Sequence, residues 1–325
     1  MNASTIDKTR KASIKLSEYR SRGREPHVFR AEGPEGLIGV HADLIAASLN
    51  PEEKIHYLLY SPMREAGVAP FGIHAEPASH ALAVTDNRFL ISKDRHIEAV
   101  APTVQSIPFA QVICVEIGNA LLLGWLAIRF IQNGQLYCTS LFYTARGSHH
   151  FERAIHKFRQ LHGKTKNHWP AESIKWTEIW EQTPKPQTEI LKSIILEEEK
   201  PIYLFRSTES WGTEKRRRKK VCLATEGLLL ATDWGLIYAV DERPIAPHIL
   251  SYGVNVYCIP PGALYSLTHI EKEEYGLCRH ILRMQAGKPP AIFDIDIPFD
   301  GNTNDKVEDF VSAMQRGNEK ESRRN

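Results

Sequence analysis

Six consecutive cationic side chains are the strongest chemical feature of the sequence. They lie in the stretch EKRRRKK, and such a run can bind phosphate groups. Near an anionic membrane each Lys or Arg contributes about 1 kcal/mol, falling off within a Debye length. The total is smaller than six such contributions, because Glu209 and Glu214 oppose the run and not all six side chains can face one surface. The alternative is a solvated loop with incidental affinity for polyanions. The run consists of Lys215, Arg216, Arg217, Arg218, Lys219 and Lys220.

Signals for catalysis or metal binding are weaker. Asp294 and Asp296 lie two residues apart on a predicted strand, where paired carboxylates could bind a cation or transfer protons. An ordinary solvated strand face has the same spacing. His149 and His150 lack a third ligand at a recognisable spacing. Gly163–Thr165 ends like a phosphate-binding loop, but the first glycine of that motif is missing. We therefore predict no catalytic residue, no metal site and no cofactor.

The composition is that of an ordinary globular protein. Its 325 residues predict two domains, and a net charge of +2 creates no global basic field. Five cysteines without a CxxC spacing favour a reducing compartment. No apolar core follows the basic residues of the N-terminus, which argues against a secretory signal. The most apolar run, residues 120–131, contains Arg129 and is shorter than the about 20 residues of a spanning helix. We expect a buried strand pair there, and a cytoplasmic protein.

The sequence also repeats itself. Residues 52–58 read EEKIHYL, and residues 198–204 read EEKPIYL. Other matches keep the same order along the chain. They are VTDNRFL (84–90) with ATEGLLL (224–230), Ile107-Pro108 with Ile259-Pro260, IRFIQNG (128–134) with ILRMQAG (281–287), and FERAIHKFR (151–159) with VEDFVSAMQ (307–315). Loops of duplicated domains change length while their elements persist, so we infer two copies of one unit.

Each copy is predicted to contain about seven antiparallel strands and one C-terminal helix. Apolar runs flanking Asp86-Asn87 and Glu226-Gly227 indicate hairpins. Asn133-Gly134 indicates a type I′ turn, with Ala286-Gly287 in its place in the second copy. Helical spacing then follows in both copies, with Ser148 and Thr303 as predicted N-caps. The helical apolar positions are Phe151, Ile155 and Phe158 in the first copy, and Val307, Val311 and Met314 in the second.

The repeated EEK…YL phrase, VTDNRFL, SIPFAQV and the closing helix resemble bacterial pleckstrin-homology-like domains and the related GRAM domains. The resemblance is closer for the first copy. It implies a mainly β (α+β) fold of two tandem seven-stranded antiparallel barrels, each closed by a C-terminal helix. The predicted units are a basic, partly disordered N-terminal arm (1–42), a first PH-like domain (43–161), a linker containing Trp and Pro (162–188), a second PH-like domain (189–316) and a polar tail (317–325).

The resemblance implies binding to membrane lipids, peptides or other protein domains rather than catalysis. In its lipid-binding members, basic residues around the first two strands and their loop bind phosphates. The run Lys215–Lys220 occupies that place in the second copy, and Arg206 could join it. We therefore expect a non-enzymatic protein, at times peripheral at the membrane, whose second copy binds anionic lipid. In the first copy the corresponding loop, residues 62–81, has only Arg64 against two glutamates, which favours a protein partner or no partner.

Three alternatives stay open. The first is a protein-interaction scaffold without lipid binding. The second is a non-specific nucleic-acid-associated protein, although the aromatic and basic interleaving expected for stacking on single strands is missing. The third is an enzyme that uses Asp294 and Asp296. In each case Trp169, Trp176 and Trp180 of the linker are expected to pack against neighbouring domains, which predicts that the two copies are docked.

Overall fold

A computed structural model provides the fold. It describes residues 27–62, 67–68, 74–75, 78–95, 100–163, 174–207, 209–214, 219–241, 253–274, 277–299, 305, 307–312 and 314. Several predictions therefore lie outside the described residues: the arm up to residue 26, Trp169, the N-cap Thr303, the polar tail and residues 215–218 of the basic run.

Strands make up most of the described chain. The first ten are β1 (Phe29–Arg30), β2 (Ile55–Ser61), β3 (Gly67–Val68), β4 (His74–Ala75), β5 (Ser79–Thr85), β6 (Arg88–Asp94), β7 (Thr103–Pro108), β8 (Val112–Ala120), β9 (Leu123–Gln132) and β10 (Gln135–Thr144). The other nine are β11 (Pro201–Ser207), β12 (Ser210–Glu214), β13 (Lys219–Ala224), β14 (Gly227–Thr232), β15 (Gly235–Asp241), β16 (Gly253–Ile259), β17 (Leu264–Glu274), β18 (Leu277–Lys288) and β19 (Ala291–Phe299).

Within the described residues, five α-helical segments accompany the strands. They are α1 (His41–Ser48), α2 (Ser148–His162), α3 (Trp176–Gln182), α4 (Lys185–Ile194) and α5, whose described helical residues are 305, 307–312 and 314.

In the part of the chain that the structure describes, the strands form three larger sheets and two small hairpins, all antiparallel. Sheet A has the order β1-β2-β5-β6-β7, sheet B the order β10-β9-β8-β16-β15-β14-β11, and sheet C the order β17-β18-β19. The pairs β3-β4 and β12-β13 stand separately. Phe29 of β1 lies opposite Tyr60 of β2, so the end of the predicted arm belongs to sheet A.

The prediction of two closed seven-stranded barrels is wrong. None of the sheets built by the described residues closes on itself. The first copy's β8 pairs with the second copy's β16, placing Val115 opposite Cys258, so sheet B runs through both copies. β7 ends at Pro108, which has no N–H to donate, and a 3₁₀ turn at Phe109–Gln111 follows before the chain enters β8. β8 therefore starts a different sheet from β7.

Both halves of the chain nevertheless repeat one order of elements. The first has the ladder β2-β5-β6-β7, then β8-β9-β10, then α2. The second has β11-β14-β15-β16, then β17-β18-β19, then α5. A small hairpin, β3-β4 or β12-β13, follows the first ladder strand in each half.

Sheet B separates the two largest apolar cores. Leu228 and Leu230 of β14 belong to the core that includes Phe158 of α2. Leu229, between them, belongs to the core that includes Leu282 of sheet C. Successive side chains of a strand point to opposite faces, so one strand contributes to both cores.

The repeated EEK phrase forms the same turn twice. In the first copy the Asn50 backbone N–H donates to Glu53 Oε2 at 2.9 Å, and in the second the Leu196 N–H donates to Glu199 Oε2 at 3.0 Å. Each carboxylate thereby satisfies a backbone donor just before the first ladder strand. The recurrence of the phrase therefore has a structural cause.

The hairpin after this turn corrects the predicted alignment. The Lys54 N–H donates to Asp86 at 2.9 Å, and the Lys200 N–H donates to Asp233 at 2.8 Å. The equivalent hairpins are therefore β5-β6 and β14-β15, at an offset of 147 (233 − 86). The predicted match of VTDNRFL with ATEGLLL, at an offset of 140 (224 − 84), is wrong, because ATEGLLL runs from β13 into β14.

Turn and helix predictions met different outcomes. The type I′ turn at Asn133-Gly134 is confirmed, since the φ angles are 51° and 72° and Gln132 pairs with Gln135. In the second copy the turn lies at Pro289-Pro290, not at Ala286-Gly287, which is inside β18. Ser148 is not an N-cap, because it is the first helical residue and the cap position has no side-chain hydrogen bond.

The apolar faces of the closing helices are also as predicted, with one exception. Phe151, Ile155 and Phe158 of α2 are buried, as are Val307 and Met314 of α5. Val311 is partly buried against the same core as these two.

Candidate functional site

Lys219 and Lys220, the last two residues of the basic run, begin β13 of the β12-β13 hairpin. Glu214 pairs with Lys219 at its far end, and Thr213 pairs with the exposed Lys220. Lys215–Arg218, which connect the two strands, are outside the described residues. By sequence, the cations follow Glu214, the last residue of β12.

Arg206 of β11 has a partner within the chain. Its guanidinium donates to Glu226, the residue directly before β14. Arg206 Nε is buried and has no hydrogen-bond partner among the described residues. A phosphate would therefore have to compete with Glu226 for this side chain, and the predicted role of Arg206 stays a prediction.

The turn between β8 and β9, Leu121-Leu122, exposes two large apolar side chains. Their exposed fractions are 72% and 81%. This leucine turn corrects the predicted burial of residues 120–131, which holds for most of β9 but not for the turn. Leu121 also has φ 53°, a left-handed conformation that costs about 1–2 kcal/mol for residues other than Gly, Asn and Asp. Neither the core nor the turn geometry therefore explains a leucine here.

The leucine turn and the basic hairpin leave sheet B at the same end. Ala120, just before the turn, pairs with Gly253 at the start of β16. Asp241 at the end of β15 pairs with Val254, and Gly227 at the start of β14 pairs with Ser207 at the end of β11. The chain continues from Ser207 toward β12. Four strand spacings, about 19 Å, separate β8 from β11 at this end.

The predicted carboxylate pair on sheet C is engaged by neighbours. The guanidinium of Arg283 donates two hydrogen bonds to Asp296, at 2.7 and 2.8 Å. Its Nε lies 3.9 Å from Asp294, which also accepts a bond from Gln285 Nε2 at 2.9 Å. These contacts form an exposed cross-strand polar ladder.

A second group of ionisable side chains on sheet C was missed by the sequence analysis. Ligand-type atoms of His269, Glu271 and His280 all lie within 4.8 Å of one another. The signal in the sequence is an alternation of such residues on both arms of one hairpin, HIE at 269–271 and CRH at 278–280. Alternate residues share a face, so both motifs can contribute to one site.

Two buried polar networks join side chains of the first copy to side chains of the second. At the first, Arg159 of α2 contacts Glu199 before β11, and Trp176 Nε1 donates to the Glu199 carbonyl at 2.9 Å. Trp176 also stacks on Trp180, with ring centroids 5.1 Å apart. The predicted packing of the linker tryptophans is thus found for these two.

The second network lies where β8 meets β16. Buried Glu116 accepts hydrogen bonds from Arg129 and, at 2.6 Å, from Asn255 Nδ2. The Trp125 indole N–H donates to Asn255 Oδ1 at 3.3 Å. The Arg129 guanidinium also lies 4.1 Å from the ring centre of Phe293, which links the network to sheet C.

The buried cysteines beside these networks are not activated. Burial raises the pKa of the Cys114 thiol, and it raises the pKa of Cys258 to about 11. Both are therefore neutral thiols at neutral pH, whereas a nucleophile or thiolate ligand requires a lowered pKa.

Comparison with known proteins gives no family for this chain. No protein-family model matches it, and no curated protein matches it. Within the described ranges, the helices are all too short or too polar to cross a membrane.

Proposed function

We propose that this is a non-enzymatic binding protein that contacts an anionic, phosphate-bearing membrane surface through Lys215–Lys220. The observation that carries the proposal is the leucine turn, whose exposed side chains leave sheet B at the same end as the basic hairpin. The protein would be cytoplasmic and peripheral at the membrane. The repeated order of elements supports the proposed resemblance to PH-like and GRAM-like domains, without closed barrels.

Two kinds of attraction would act together at such a surface. Each cation near an anionic bilayer contributes about 1 kcal/mol. Each leucine side chain that leaves water contributes about 1.5–3 kcal/mol at full burial. Stable attachment of a peripheral protein takes two signals, such as an apolar group together with a polybasic patch. The strained and exposed Leu121 is explained if its side chain enters the lipid interface.

Co-sedimentation of the full chain with vesicles tests the proposal. The vesicles contain phosphatidylcholine alone or with phosphatidylserine, each at low and at high salt. We expect sedimentation only with phosphatidylserine, weakened by salt. Replacing all six cations of Lys215–Lys220 by alanine should abolish it. In the matched control, Lys and Arg are exchanged within the run, which keeps its charge and should keep binding.

The alternatives predict different results. Equal competition by single-stranded nucleic acid and by phosphatidylserine vesicles would favour a non-specific polyanion binder. Absence of sedimentation at low salt would overturn the membrane proposal and direct attention to a protein-interaction scaffold. Retained binding by the alanine variant would place the contact elsewhere on the molecule.

A further inference from the structure

We propose that His269, Glu271 and His280 form a binding site for one divalent transition-metal ion of the zinc class. The site lies on sheet C, and the inference does not depend on membrane binding. Two imidazoles and a carboxylate are ligands that Zn²⁺ accepts.

Strand pairing brings the three side chains together. His269 and Glu271 are two residues apart on β17, so they share one face of the sheet. His280 of β18 lies directly opposite Glu271, and His269 lies opposite Leu282. Directly opposed and diagonal side chains of an antiparallel pair are within reach of each other. The backbone ladder therefore holds the three ligands in place.

The distances suit tetrahedral coordination. His280 Nδ1 lies 3.4 Å from His269 Nε2 and 3.5 Å from Glu271 Oε1. Ligand bonds of about 2.0–2.2 Å at tetrahedral angles separate neighbouring ligand atoms by about 3.3–3.6 Å. Two of the three separations thus match before any ion binds. The third is at most 4.8 Å, which a small rotation of the exposed Glu271 side chain can shorten.

The surroundings also fit a metal-binding imidazole. Cys278 Sγ lies 4.0 Å from His280 Nε2, the ring nitrogen that faces away from the other two ligands. In the bound state Nε2–H would donate to this sulfur, and Nδ1 would be left to bind the ion. A metal-binding histidine commonly donates its second ring N–H to an outer partner in this way, which fixes the orientation of its ring. Buried Phe299 packs beside both imidazoles, with ring centres 5.3 and 5.8 Å away, and limits their movement.

Burial indicates an open site. His269 and His280 are partly buried, while Glu271 is exposed. The cluster lies where the apolar face of sheet C ends, since Leu282 and Phe299 beside it are buried. Three protein ligands would leave the fourth tetrahedral position to solvent or to a further ligand.

Calorimetric titration of the full chain with Zn²⁺ alone tests the proposal. The wild type should bind one ion per chain. His269→Gln and His280→Gln should each weaken binding at least about tenfold, the loss that even outer-shell changes cause. With Co²⁺ in place of Zn²⁺, the wild type should give the visible absorption bands of tetrahedral coordination, and the variants should lose them.

Matched variants make the test decisive. His149→Gln changes a histidine whose ring lies 4.0 Å from His150, outside the cluster, and should leave affinity unchanged. Cys278→Ser should keep the one-ion stoichiometry. Glu271 is exposed, so Glu271→Gln should fold normally and still lose affinity. The proposal is overturned if the wild type binds no ion, or if the cluster variants bind as tightly as His149→Gln.

Discussion

Arg159 and Glu199 form a buried ion pair that joins the helix closing the first copy to the turn that opens the second. Two guanidinium nitrogens of Arg159 lie 2.9 and 2.5 Å from the two carboxylate oxygens. In the first copy the equivalent carboxylate, Glu53, is held by Arg88 from its own hairpin. The turn of Glu53 thus stabilises the first copy alone, whereas the equivalent turn of Glu199 stabilises the junction between the two copies.

Breaking this pair should destabilise the whole protein. Glu199→Gln removes the charge opposite a buried guanidinium, and such a change costs about 3–5 kcal/mol. Urea denaturation at neutral pH would measure the free energy of unfolding. Glu53→Gln is the matched control, and its loss should be smaller because Arg88 is partly exposed. Equal losses for the two variants would contradict a special role of the junction.

The network at the β8–β16 seam should be sensitive to charge. Asn255→Ala removes a donor to Glu116 and an acceptor for Trp125, and we expect a loss of about 1–3 kcal/mol. Asn255→Asp has the same shape but places a second carboxylate beside buried Glu116, so its loss at neutral pH should be larger. Thermal or urea unfolding of both variants checks this order. An Asn255→Asp variant as stable as wild type would show that the seam does not need the amide.

Acid should destabilise the protein partly through His150. Burial, with added repulsion from His149, Arg153 and Arg30, lowers the pKa of His150 to about 4. The unfolded chain takes up this proton near pH 6.5, before the folded protein does. The contribution to stability is therefore fully present above about pH 6.5 and is lost as the pH falls toward 4. Burial also lowers the pKa of His156 and His162 on the same helix.

Comparing wild type with His150→Gln isolates this effect. Between pH 7 and pH 5 the wild type should lose more unfolding free energy than the variant. Asp241 acts in the opposite direction, because burial raises its carboxyl pKa to about 6, but it acts equally in both proteins. Parallel pH profiles for the two proteins would rule out the assigned role of His150.

The leucine turn should lower the folding stability of the protein while it strengthens binding to membranes. Leu121→Asn places a residue that tolerates positive φ at this position, so we expect a gain of about 1 kcal/mol. Combined with Leu122→Ser, it should reduce sedimentation with phosphatidylserine vesicles. Leu122→Ser alone is the control, since it removes one apolar side chain and leaves the positive φ of Leu121 unchanged. Undiminished sedimentation of the double variant would leave the basic run as the sole contact.

Local patterns in the sequence predicted local structure well. Asn133-Gly134 forms its turn because both residues tolerate positive φ. Phe151, Ile155 and Phe158 face the core because their spacing places them on one side of a helix. By contrast, the hairpin alignment failed because apolar runs of similar length flank both Glu226-Gly227 and Asp233-Trp234. Strand pairing, with Thr232 of β14 opposite Gly235 of β15, and the hydrogen bond from the Lys200 N–H to Asp233 distinguished the two.

The candidate sites also differ in how far the sequence could predict them. The basic run is continuous in sequence, so its position between two strands could be predicted without coordinates. The cluster of His269, Glu271 and His280 depends on Glu271 lying opposite His280, and a shift of one residue in the pairing would send these side chains to different faces. The pairing of Arg206 with Glu226 likewise required the register of β11 and β14.

The sequence by itself therefore indicated a repeated order of strands ending in a helix, and it placed the basic run between two strands. Tertiary structure alone decided that β8 pairs with β16, so that one sheet crosses both copies and no barrel closes among the described residues. The physical reason lies in the backbone. Every strand edge offers the same N–H and C=O groups, so side-chain alternation indicates which face is buried but not which edges pair.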